Sequence, residues 1–215
     1  MFIHSLRSGF RPPNAARCRG RCGSAAGNQA RILACGLTVL LLVSGIAPAR
    51  AAESLYQVEV IVFQYGSPTQ AVTPASPAQV AGLDLSAAVK PAAEGSGIEL
   101  LSGQQLQLTD VEQRLKRAGD IPLVHIGWRQ KRSDSRAIRI TSSELATDGR
   151  PLVDGDVRLR VGQQLAISFD ILCLYNNQPI RLSANRTVKF GELHYFDHPV
   201  FGVLLQVVRA TPGTD

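Results

Sequence analysis

Acidic residues are absent from the first 51 positions, and cysteine is almost absent from everything after them. The opening segment holds Arg7, Arg11, Arg17, Arg19, Arg21, Arg31 and Arg50 with no Asp or Glu. Of the 23 Lys and Arg in the 215-residue chain, 16 therefore remain to face all 17 acids. The formal net charge of +6 belongs to that segment, and the rest of the chain is near neutral. A near-neutral body lacks the clustered cations that release counterions from a phosphate backbone, so nucleic acid is not expected as a partner. Cys18, Cys22 and Cys35 all fall in the opening segment, leaving Cys173 alone. No disulfide is then possible within residues 52–215, and Cys18 and Cys22 have no second pair with which to hold zinc. Cys173 lies in an apolar alternating run and reads as a small core residue.

Long hydrophobic runs are missing too. The longest, Ile32 to Ile46, is about fifteen residues, short of the ~20 that span a bilayer. It follows the arginines and precedes Ala47-Pro48-Ala49-Arg50-Ala51. Positive residues, a short apolar stretch and small residues in that order predict a signal peptide over 1–51, cleaved after Ala51 or Ala49. The mature chain, 52–215, is expected to be one domain with no transmembrane segment. Cys35 precedes the apolar stretch instead of following it, so lipidation is not expected.

Signatures of catalysis are also lacking: there is no G-x-S-x-G, no H-E-x-x-H and no Gly-rich phosphate loop. Glu192 and Asp197 are acidic and close in sequence, with nothing else to mark a glycan-cleaving pair. His194, Asp197 and His198 form H-x-x-D-H, but Pro199 and the flanking strand patterns argue against a helix that would bring the two imidazoles together. In a strand, residues four apart lie ~13 Å apart, too far for one zinc ion. The expectation is a non-catalytic protein with no metal and no cofactor.

What is present is β patterning. Leu55 to Gln64 places Tyr56, Val58, Val60 and Val62 on one face and Gln57 and Glu59 on the other, until Ile61 and Phe63 make its far end apolar on both sides. Residues 66–97, rich in Ala, Pro, Ser and Gly, predict a mobile loop. Thr109 with Glu112 three residues on predicts a helix opened by a reciprocal cap and closed at Gly119. Ile121 to Gln130 is the next strand, with Val124, Ile126 and Trp128 on one face. Strand, loop, helix and strand fit a crossover unit. Strands follow over 137–140, 156–161 and 165–175, then 180–188, 191–196 and 200–208, with Asn176-Asn177-Gln178-Pro179 as a turn. The fold class is α+β, mainly antiparallel sheet with one clear helix after a long flexible loop.

Three segments, YQVEVIVF (Tyr56 to Phe63), HIGWRQ (His125 to Gln130) and GELHYFDHPVFGVLLQV (Gly191 to Val207), together resemble the CsiV family of cell-envelope proteins. The basic stretch that precedes the last segment in such families is thin here, Arg186-Thr187-Val188-Lys189-Phe190. The resemblance implies a periplasmic, Gram-negative envelope protein that binds peptidoglycan and supports cell-wall assembly and cell shape, with no catalytic residues to carry over. The alternative expectation is a periplasmic protein-interaction adaptor that regulates a wall synthase without touching glycan, with a wall-synthesis regulator protein as a candidate partner.

Peptidoglycan presents sugar faces for aromatic stacking, amides for planar hydrogen bonding and carboxylates for Arg forks. Trp128, Arg129 and Gln130 supply all three types, although alternation turns Arg129 away from the other two, and Trp128 also suits a core anchor beside Val124 and Ile126. Glu192, His194, Tyr195, Asp197 and His198 fall near a strand end, where binding groups stand on a rigid base. These eight are the candidate ligand-binding residues. Arg136, Arg139, Arg158, Arg160, Arg181 and Arg186 form a candidate basic ridge.

Overall fold

The computed structural model describes residues 54–67, 73–91 and 97–210; the expected leader and its cleavage positions lie outside them. The elements run β1 Leu55–Gln64, α1 Pro77–Ala81, β2 Glu99–Leu100, α2 Thr109–Ala118, β3 Ile121–Lys131, β4 Ala137–Thr141, β5 Val153–Val161, β6 Leu165–Tyr175, β7 Gln178–Val188, β8 Leu193–Asp197 and β9 Phe201–Ala210. A first sheet has the order β2-β3-β1-β9-β8 and a second β4-β5-β6-β7. All pairings within both sheets are antiparallel. No helix among the described residues is long and apolar enough to cross a membrane.

Alternation builds the core. Val58, Val60 and Val62 of β1 and Val203, Leu205 and Val207 of β9 share one cluster with Ile138 and Ile140 of β4 and Leu159, Ile167 and Ile171 of β5 and β6. One hydrophobic layer is therefore common to both sheets. Each such side chain, withdrawn from water, contributes roughly 1.5–3 kcal/mol. Cys173 lies in the same cluster, and burial pushes its thiol up to about 12. Asn176 and Asn177 alone make the β6–β7 turn, with φ of 50° and 61°; Gln178 and Pro179 are already in β7. Positive φ at both central residues is what a two-residue hairpin of this hand requires.

The expected crossover is not formed. Gln64, at the end of β1, lies opposite Ile121, at the start of β3. The chain leaves and re-enters at the same end of the sheet, so β1 and β3 pair antiparallel, and α2 packs over the sheet's outer face. There Val111 and Leu115 cover Ile61, Phe63, Leu108 and Leu204. Gly119, at φ 91°, closes α2 with its N–H on Leu115 O and Lys116 O and turns the chain toward β3.

The reciprocal cap is not formed either. Leu108 is the N-cap and makes no side-chain cap bond. The Glu59 carboxylate accepts from Gln107 N at 2.8 Å and Leu108 N at 2.7 Å, and Glu112 turns to His125 Nδ1 at 2.7 Å. A buried acid from β1 thus holds the helix entry, which is why Gln57 and Glu59, on the polar face in the sequence pattern, are buried. The stretch expected as a loop over 66–97 contains α1, with a full capping box between Ser76 and Gln79. Val89 bridges Ile138 of β4, and Arg181 donates to Gln79 O at 2.5 Å.

Candidate functional site

The outer face of the first sheet is covered by α2 in the middle and open beside β8. Odd-numbered positions of β1 and β8 point to that side. Phe63 and Asp197 both lie opposite Gly202 of β9, and Ile61 and Tyr195 both lie opposite Leu204. The rows bring Phe63, Tyr65, Tyr195 and Asp197 together. Phe63 stacks on Tyr195 with centroids 6.4 Å apart and meets Tyr65 edge-on at 5.4 Å.

This stacking crosses β9 only because residue 202 has no side chain. A Cβ there would meet the Phe63 ring at 2.6 and 2.8 Å and the Tyr195 ring at 2.9 Å. Backbone approach of this kind is a role that glycine fills in strands.

The hydroxyl ends converge on one carboxylate. Tyr195 donates to Asp197 Oδ1 at 2.8 Å; Tyr65 donates to the same oxygen and touches the Tyr195 hydroxyl. The two phenol donors hold the Asp197 carboxyl below its ordinary value. Burial, then the hydrogen bond to Asp197, pushes the Tyr65 phenol far up, and burial leads the rise at Tyr195. At neutral pH the cluster is an ionised acceptor held by two neutral phenols. Tyr195 remains 45% exposed and Leu193, two residues before it on the same face, 43%. The result is a rigid, half-exposed aromatic ring beside a carboxylate, with an apolar neighbour.

The other candidate residues divide by face. Glu192 is exposed and pairs with Lys189 Nζ at 3.2 Å. His194 points to the other side of β8 from Tyr195, with Nε2 accepting from Lys189 N at 3.1 Å. The His198 ring packs 5.2 Å from that of Phe201 in the β8–β9 turn, its Nδ1 buried without a partner, and burial lowers its pKa. Each imidazole thus has its own local surroundings, and among the described residues no group of three or more His, Cys, Asp or Glu is placed to hold a metal ion.

Trp128 and Gln130 are both fully buried. The indole N–H donates to Gln130 Oε1 at 2.7 Å, and Gln130 Nε2 donates to Asp134 O at 2.7 Å. The pair satisfies its own polar atoms inside the core and fixes the β3–β4 turn, with no surface to offer a ligand. Arg129 emerges on the opposite face, as alternation requires, and pairs with Glu99 at 2.8 Å.

Three of the six ridge arginines are ion-paired: Arg136 with Asp134, Arg139 with Asp154 and Arg181 with Asp170. Arg186 lies over the Phe196 ring, 4.9 Å from its centroid. Tyr65 was missed by sequence reasoning because it follows the last predicted residue of β1. The signal was there in the alternation Gln57, Glu59, Ile61, Phe63, Tyr65, which continues one step past Gln64.

Two antiparallel sheets around one core, with α2 on the outer face and an aromatic corner beside β8, define an α+β fold. The family model described as "Peptidoglycan-binding protein, CsiV" matches residues 32–210, and the chain belongs to that family. Comparison with curated proteins returned no match, and comparison with solved structures returned none.

Proposed function

We propose that this protein, exported to the periplasm by its leader over 1–51, binds peptidoglycan and supports cell-wall assembly and cell shape without chemistry of its own. Family membership supports the ligand class. The observation that carries the location is the half-exposed Tyr195 ring, clamped by Phe63 behind it and by Tyr65 and Asp197 at its hydroxyl. A sugar face stacks on such a ring, and a ring that is already immobilised loses little rotamer freedom on binding. Asp197 accepts from sugar hydroxyls or amides that reach the corner, with Glu192, His194 and His198 at its margins and Arg129 on the same face of the sheet.

The test is co-sedimentation of the purified protein with purified sacculi, with soluble muropeptides as competitor. Saturable retention that the muropeptides displace supports the reading. Retention no better than that of a periplasmic protein without wall affinity contradicts it.

A further inference from the structure

A second opening lies beside β2 and β4, at the edge of the first sheet opposite β8. It is a cleft of about 370 Å³ lined by Lys90, Pro91, Leu100, Ile126, Arg139 and Thr141, inside the ~300–1,000 Å³ range of small-ligand sites. Leu100 is 42% exposed although it sits opposite Trp128 on the core-facing side of the sheet. Its neighbour Glu99 turns to the other face and is held by Arg129.

Among the described residues the lining contains two cations and no carboxylate. Arg139 gives Nε and Nη2 to Asp154 at 3.1 and 2.8 Å, and its Nη1 has no hydrogen-bond partner among the described residues. Lys90 has no ion-pair partner among the described residues. The backbone beside it is anchored, because Val89 N donates to Ala137 O at 2.8 Å and Arg139 N donates to Val89 O at 2.9 Å. An exposed ammonium carried on that anchored backbone and the Nη1 edge of Arg139 stand beside an aliphatic floor of Leu100, Ile126 and Pro91. That combination matches a small anionic group attached to short aliphatic side chains.

We propose that this cleft binds the C-terminal carboxylate of a short aliphatic peptide, the free end of a peptidoglycan stem peptide. Lys90 and Arg139 hold the anion, and Leu100, Ile126 and Pro91 receive the side-chain methyl. The assignment rests on the peptidoglycan reading and adds to it a peptide subsite separate from the Tyr195 corner. Charge-assisted hydrogen bonds give such a site selectivity for the free acid over a capped end.

The probe is N-acetyl-D-alanyl-D-alanine, titrated into the purified protein with backbone amide shifts as readout, alongside the same dipeptide as its C-terminal amide. Saturable shifts at Val89, Lys90, Glu99 and Leu100 are expected with the acid, and at least tenfold weaker binding with the amide. Lys90→Gln, at an exposed residue with no ion-pair partner among the described residues, is expected to weaken the acid about tenfold, and Leu100→Ser to weaken acid and amide alike. Equal binding of acid and amide overturns the assignment, as does an unchanged affinity in Lys90→Gln. Retention on sacculi with no response to the dipeptide overturns this subsite and leaves the peptidoglycan reading standing. Failure of both removes that reading as well.

Discussion

His125 Nε2 lies 2.7 Å from Glu59 Oε1, between β3 and β1, with both side chains almost withdrawn from water. The other imidazole nitrogen is 2.7 Å from Glu112 of α2, and Glu59 also takes the two backbone amides at the helix entry. One imidazole thereby ties the helix to the sheet.

Burial works against the charged form of His125, and the hydrogen bonds to Glu59 and Glu112 outweigh it, so its pKa is raised above the ordinary 6.5. Stability from this contact is fully present below pH 6.5 and is lost as pH rises through the raised folded value. Glu112 has the opposite sign. Burial works to raise it, but Lys116 and His125 draw it below its ordinary 4.5, so its share is present above that pH and lost on further acidification. Denaturant midpoints are therefore expected to fall on the alkaline side of pH 6.5, and His125→Gln is expected to flatten that limb. An identical alkaline slope in the variant would contradict the assignment.

Glu59→Ala leaves two helix-entry amides and the imidazole without their acceptor. Breaking a buried charged contact of this kind costs about 3 kcal/mol. Urea denaturation reads the loss directly, and amide exchange at 107–112 is expected to accelerate more than exchange in β5 and β6.

Gln130→Leu keeps roughly the same volume but leaves the Trp128 indole N–H buried without an acceptor, an expected cost of about 1–3 kcal/mol. Trp128→Ala is expected to cost about 3–5 kcal/mol through the lost transfer energy and the cavity. In either variant, whatever fraction remains folded is expected to bind sacculi with unchanged affinity, since neither side chain reaches the surface. A folded Trp128 variant with normal stability and lost binding would reverse that conclusion.

Gly202→Ala places a methyl group inside the Phe63–Tyr195 stack. An overpacking cost of about 1–3 kcal/mol is expected, together with weaker retention on sacculi because the Tyr195 ring is displaced. Unchanged stability and retention would mean that the two rings do not depend on this approach.

Most of the strands were legible because burial on one face imposes a period of two: Leu165, Ile167, Phe169, Ile171 and Cys173 all point inward as alternation requires. The antiparallel β1–β3 pairing was not legible, because a strand-helix-strand order fits either direction and only the re-entry of Ile121 opposite Gln64 decides it. Glu59 looked like a solvent-facing residue for a similar reason. Alternation assigns a face but does not say that a distant segment, 101–108, will cover it. Of the residues that converge at the candidate corner, Tyr195 and Asp197 were among those singled out from the sequence. Tyr65 and Gly202 were not, since their roles exist only through cross-strand neighbours on β8 and β9. Trp128 and Gln130, two apart on one face, carried the right chemistry for a ligand and used it on each other.

The most direct measurement of the central claim is a pair of sacculus-binding isotherms, for the wild-type protein and for Tyr195→Ala, with denaturant midpoints taken on the same samples. Tyr195 is half exposed, so its removal is expected to lower the midpoint only modestly, through the lost Phe63 stack and the bond to Asp197, while weakening binding of the folded protein about tenfold or more, equivalent to ~1.4 kcal/mol or more of lost contact. Superimposable isotherms from the two folded proteins would contradict the placement of the glycan at this corner.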